Sequence, residues 1–185
     1  PSPLGTVPFI RPDDARTLCE SEVIVEYLEA AHPTPALVPA DAWGAAQVRE
    51  LTTFIELHLE LVVRELYPQA FFGGTVSEAN QARVRKLLEK NIVAFKRLAK
   101  FAPYVAGPEF TSADCAAFVS LPLVSMASKT IYGVDLLAEG GVDWKPYIKL
   151  VGDRPSAVKV SADRKAAQDA QIAAIKAKAA AKPAA

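Results

Sequence analysis

The sequence predicts a small α/β segment followed by an all-helical domain. Three observations predict it. Two short apolar runs, Val7-Pro8-Phe9-Ile10 and Leu18-Cys19, sit near the start and have strand character. A proline-rich stretch, His32-Pro33-Thr34-Pro35-Ala36-Leu37-Val38-Pro39, then interrupts all regular structure. Beyond it, apolar residues recur at steps of three and four, the spacing of one helix face.

The elements follow in order. Val7 precedes Pro8, which pushes Val7 towards extended geometry. Most X-Pro bonds are trans. A cis Val7–Pro8 bond would turn the Val7 N–H and C=O outward, where an antiparallel peptide can pair with both. Glu20-Ser21 stands at the mouth of an amphipathic helix carrying Ile24, Tyr27 and Leu28. The first helical N–H groups lack intrahelical partners, and the helix dipole favours negative charge there. Ser21 is therefore a seat for a carboxylate, and Glu20 a partner for an ammonium. By themselves, the two residues read first as a helix cap.

From Trp43 to Phe72, Val48, Leu51, Ile55, Leu59, Val62, Val63 and Leu66 mark one long helix, with Pro68 expected to kink or end it. A second helix is expected from about Ser77 to Lys100. Its inner stripe is Val84, Leu87, Leu88, Ile92, Phe95 and Leu98, and its charges form a wet face. A third is expected from Ser112 to about Lys129. It is apolar nearly all round, so burial is predicted, with Pro122 bending it. Its first N–H groups then need internal partners. Thr111 and Asp114 have capping-box spacing and are assigned a structural role. Val142–Asp153 and Pro155–Asp163 read as closing helices. The Ala/Lys tract from Lys165 reads as a fraying helical extension, with Ile172 and Ile175 its few large apolar residues.

Composition excludes several classes. The 185 residues carry 21 basic and 21 acidic side chains, which leaves no electrostatic footprint for nucleic acid. Two cysteines, Cys19 and Cys115, make no disulfide framework, and a reducing, cytoplasmic setting is expected. No membrane span is expected. Two histidines, His32 and His58, cannot build a multi-histidine metal site, and no metal is expected. His58 reads as a partly buried helix residue. Cys19 reads as a buried, inert thiol, although its place beside Glu20 also suits contact with a bound thiol. With Pro1 in first place, the sequence reads as a fragment or a processed chain.

Taken together, Gly5-Thr6-Val7-Pro8, Glu20-Ser21, the proline-rich connector, Phe110-Thr111-Ser112-Ala113-Asp114 and Arg154-Pro155 occur in the order in which similar motifs occur in glutathione transferases. The chain resembles that family over nearly its whole length. The resemblance implies the second half of a thioredoxin-like glutathione-binding domain at residues 1–31, a linker at 32–39, an all-helical domain at 40–164 and an extension at 165–185. It implies a cis Pro8, with Val7, Pro8, Glu20 and Ser21 gripping glutathione as co-substrate. Thr6 stands where many relatives carry lysine, a departure that removes one expected ligand contact.

The resemblance also implies that the first strand, first helix and second strand of the domain, with the catalytic Tyr, Ser or Cys, lie outside this sequence. No catalytic residue is assigned within it. A hydrophobic electrophile is expected to pack against aromatic residues of the helical domain, with Tyr67, Phe71, Phe72 and Tyr104 the candidates; ordinary core packing explains them as well. A homodimer is implied. The expected reaction is conjugation of the glutathione thiolate. A glutathione-dependent thiol–disulfide oxidoreductase or peroxidase of the same fold, or a noncatalytic interaction protein, are the alternatives.

Overall fold

The computed structural model describes Ser2, Pro3 and residues 5–180. Residues 1–144 and 145–185 form two compact units. In the first, β1 (Phe9–Ile10) and β2 (Leu18–Cys19) pair antiparallel, with Phe9 opposite Cys19 and Ile10 opposite Leu18. Asp13 orders the loop between them. Its Oδ1 accepts the backbone N–H groups of Ala15 and Arg16 at 3.0 and 2.9 Å. Helix α1 (Ser21–Ala31) follows directly and rests on both strands. Its Glu29 carboxylate accepts the Leu37 N–H at 2.7 Å, and the Leu37 carbonyl accepts the Ser112 N–H at 2.9 Å. The connector thus links α1 to the start of a helix far along the chain.

Helix α2 (Ala42–Phe54) starts on Asp41, whose side chain accepts the Gly44 N–H. It runs into a π-helical segment (Ile55–Glu60) and a final α-turn, α3 (Leu61–Arg64). The expected single helix to Phe72 is therefore corrected. The break falls after Arg64, ahead of Pro68, which instead sits in the first turn of a short α4 (Tyr67–Phe71). A proline is tolerated there because that turn's N–H groups have no helical acceptor. The π segment has a trace in the sequence. Leu51, Ile55, Leu59 and Val63 are all buried at successive steps of four, wider than an α-helix keeps on one line. The His58 carbonyl within it accepts the Asn91 side chain at 2.8 Å.

Helix α5 (Glu78–Leu98) is capped by Ser77, whose side chain accepts the Asn80 N–H. Helix α6 (Ser112–Tyr132) packs against α2, the π segment, α3 and α4, and ends on Gly133 in the left-handed region at φ 74°. Asp114 is fully buried. Its carboxylate accepts the Thr111 N–H at 2.8 Å, the Thr111 hydroxyl at 3.1 Å and the Val105 N–H at 2.8 Å. It therefore closes a capping box and ties down the preceding turn.

The expectation that α6 is buried all round is corrected. Val119 is 45% and Met126 49% exposed, and Cys115 shares that stripe. The helix meets length and composition for a membrane span, with mean hydropathy 1.3 over eighteen residues. Its Ser112, Asp114, Ser120, Ser125 and Ser128 nevertheless lie in the protein core.

A short α7 (Leu136–Glu139), absent from the sequence expectation, is capped by Asp135. The Asp135 carboxylate accepts the Ser125 hydroxyl at 2.8 Å and the Trp144 indole N–H at 3.3 Å. Helix α8 (Trp144–Gly152) leads into the second unit, where Tyr147 and Val151 are buried. There α9 (Pro155–Ala180) carries straight through the Ala/Lys tract, past the expected end at Asp163. The side chains of Ile172 and Ile175, and residues 181–185, lie outside the described set.

Candidate functional site

A cavity of about 690 Å³ opens within the first unit. One wall comes from the N-terminal segment: Thr6, Val7 and Pro8, then Glu20, Ser21, Glu22 and Val25. The opposite wall comes from the helical layer. The π segment and α3 supply Glu56, Leu57, Glu60, Leu61 and Arg64, and α6 supplies Ser112, Cys115, Ala116, Val119 and Ser120. Leu37 of the connector closes one side.

The wall formed by residues 6–8 and 20–25 holds all four residues assigned to glutathione. The Val7–Pro8 bond is cis, and Val7 is 80% exposed although apolar. Glu20 occupies the N-cap of α1 with φ 68° and ψ 120°, and its side chain makes no capping bond. A non-glycine residue in that region is strained, and such strain gathers at binding sites. The simple helix-cap account of Glu20 therefore does not hold. Its carboxylate is exposed beside the Ser21 hydroxyl at the positive end of an eleven-residue helix.

The opposite wall is apolar at its middle and charged at its edge. Leu57 and Leu61 are about half exposed, at 49% and 50%, and face the cavity together with Val119 and Ala116. At the edge, the Arg64 guanidinium donates to both oxygens of Glu60, 2.9 Å to each, and the Tyr67 hydroxyl donates to the same carboxylate at 3.3 Å. Burial first, and then the Glu60 charge, push the Tyr67 hydroxyl above its ordinary pKa, so it stays protonated at neutral pH. Glu22 and Glu56 both line the cavity. Burial, then the neighbouring Glu22 and Glu60 charges, raise Glu56 to about 7; burial first raises Glu22 as well, with the Glu26 charge adding to the rise.

The aromatic candidates lie elsewhere. None of Tyr67, Phe71, Phe72 and Tyr104 lines the cavity. Tyr67 stacks on Phe71 at 5.0 Å, Phe71 meets Phe72 edge-on, and Tyr104 meets Phe110 edge-on at 5.6 Å. Tyr67 reaches the cavity only through Glu60. The apolar wall belongs instead to Leu57, Leu61 and Val119, to which the sequence reading gave no ligand role. Cys115 also lines the cavity, whereas Cys19 is paired in the sheet opposite Phe9. His58 is exposed and stacks on Phe54 at 4.8 Å, correcting its expected partial burial. Among the described residues, no group of three or more potential metal ligands occurs.

Residues 1–36 match the family described as "Glutathione S-transferase, N-terminal domain". A glutathione S-transferase of Pseudomonas putida is 36% identical over 169 residues, covering 91% of this chain and 76% of the relative. A stringent starvation protein A homolog of Pasteurella multocida is 28% identical over 155 residues, covering 84% of this chain and 67% of that protein. Among solved structures, a glutathione S-transferase of Methylobacterium radiotolerans in complex with glutathione sulfonate superposes with a TM-score of 0.66 at 23% identity, covering 85% of this chain and 73% of the other. The chain belongs to the glutathione S-transferase family. Its fold is that of the family, a thioredoxin-like N-terminal part with a helical C-terminal domain.

Proposed function

We propose that this chain holds glutathione against a hydrophobic electrophile and serves conjugation of the thiolate. One observation carries the reading: the exposed Val7-Pro8 and Glu20-Ser21 pairs share one cavity with the apolar wall of Leu57, Leu61 and Val119. The Val7 backbone pairs with the extended tripeptide. Ser21 and the start of α1 receive its γ-glutamyl carboxylate, and Glu20 its ammonium. The apolar wall receives the electrophile and places it within reach of the thiol, so that orientation supplies much of the rate. The Pseudomonas putida relative supports the transferase reading.

A second reading is a noncatalytic family member that uses the same fold for interaction; it is kept because the Pasteurella multocida relative, similar over 84% of this chain, bears no transferase name. Two measurements separate them. Calorimetric titration of the full chain with glutathione tests binding, and a spectrophotometric assay with 1-chloro-2,4-dinitrobenzene tests conjugation. Binding with turnover supports the transferase reading. Binding without turnover favours the second. No binding at millimolar glutathione removes the site assignment.

A further inference from the structure

Charge in the cavity is uneven, and holding a tripeptide does not call for that. Glu20, Glu22, Glu56 and Glu60 line it against a single cationic side chain, Arg64. Arg64 is already spent, because its guanidinium donates to both oxygens of Glu60. Thr6, on the strand side, adds no charge, and α6 brings only serine hydroxyls and the Cys115 thiol as polar groups. Among the described residues no salt bridge reaches Glu20, Glu22 or Glu56. The glutathione ammonium takes up Glu20, which leaves Glu22 and Glu56 uncompensated. Glu56 also stands where an electrophile would lie. Steps of four along the π segment and α3 set Glu56, Glu60 and Arg64 in one row, with Leu57 and Leu61 in the row beside it. A molecule resting on Leu57 and Leu61 is therefore a neighbour of Glu56. A negative charge on that molecule meets like charge there, and like-charge repulsion discriminates between partners.

We propose that the cavity admits uncharged or cationic electrophiles and excludes those carrying a carboxylate, with Glu56 as the residue that sets the selection. This selection rests on the reading that the cavity holds glutathione, and deepens it. An uncharged body is met by Leu57, Leu61 and Val119 alone. An ammonium group beside such a body gains from Glu56 and Glu22. A carboxylate finds only a guanidinium already paired with Glu60.

S-(4-nitrobenzyl)-, S-(4-carboxybenzyl)- and S-(4-aminomethylbenzyl)glutathione differ only in the para group of one ring, and so read the selection directly. Each is titrated calorimetrically into the full chain at about pH 8.5, above the value of about 7 to which burial raises Glu56. The carboxybenzyl compound is expected to bind at least about tenfold more weakly than the nitrobenzyl compound, and the aminomethylbenzyl compound no more weakly than it. E56Q is expected to narrow the carboxylate gap, and E56D to keep it. Equal binding of all three by the parent overturns the selection, as does a gap that E56Q leaves unchanged. Should E56Q fail to fold, a salt series on the parent takes its place. Leu57 and Leu61 are half exposed, so salt reaches this wall. A gap set by charge shrinks as ionic strength rises; a gap that stays constant is set by shape and overturns the proposal. Glutathione itself is titrated alongside. Glutathione that binds while the three compounds go undistinguished defeats the selection alone. Absence of binding by glutathione and by all three defeats the holding of glutathione, and the selection with it.

Discussion

Glu20 and Asp114 are both carboxylates at helix starts, and their surroundings give them opposite duties. Asp114 is buried and spends its oxygens on the backbone, holding Val105 and Thr111 in place. Replacing it with alanine strands buried N–H donors, at a cost of about 1–3 kcal/mol each. D114A is therefore expected to lower the Tm clearly in a thermal melt, while D114N, which keeps an acceptor, retains part of the loss. Glu20 is exposed, uncapped and held at φ 68°. Its removal costs the fold little. If the binding reading holds, E20A and S21A each lose a charge-assisted hydrogen bond of roughly 1.5–3 kcal/mol, a tenfold to hundredfold weaker glutathione affinity by calorimetry. Equal melts with unequal affinities are the expected signature of E20A, and the reverse that of D114A.

The helices owe their positions to close packing. Gly140 ends α7 with an ordinary helical φ of −69°, so its lack of a side chain is not a backbone requirement. Space is the reason. A Cβ there would lie 3.1 Å from the Leu136 carbonyl oxygen and in direct collision with Ile92 Cγ2, and Ile92 is itself 1% exposed. A buried, branched side chain has nowhere to swing, and overpacking costs about 1–3 kcal/mol. G140A is expected to lower denaturant stability by that order without altering glutathione binding, since neither residue lines the cavity. The π segment works differently. It carries Ile55 and Leu59 into the core while Glu56, Leu57 and Glu60 face the cavity. Such bulges recur at functional sites because they re-aim side chains without ending the helix.

Across the whole molecule, stability is uneven. Each strand has two residues, and a hairpin of that size is marginal in water. The helical layer instead buries Val84, Leu88, Ile92, Phe95, Leu121 and Val124 almost completely. Hydrogen exchange is expected to be slowest in α5 and α6 and fastest in β1 and β2. Uniform protection along the chain would show that the N-terminal wall is held as firmly as the core.

Local chemistry made much of this protein legible from its residues alone. The start of α6 follows from Thr111 and Asp114, because orphan helix N–H groups demand partners close in sequence. The inner stripe of α5 follows from its period. The pairing of Val7-Pro8 with Glu20-Ser21 was legible through family resemblance, and the structure brings the two onto one wall. Periodicity, however, reports only which residues share a helix face, not whether that face meets a core or a cavity. Val119, on a helix expected to be buried nearly all round, proved to line the cavity. The break after Arg64 came from packing, which placed Pro68 at a helix start instead of inside a helix. The gathering of Glu22 and Glu56 at one cavity was decided by tertiary structure alone. Only the fold brings these residues, distant in sequence, together and half-buries them, and that burial first raises both carboxyl groups above their ordinary range, Glu56 to about 7.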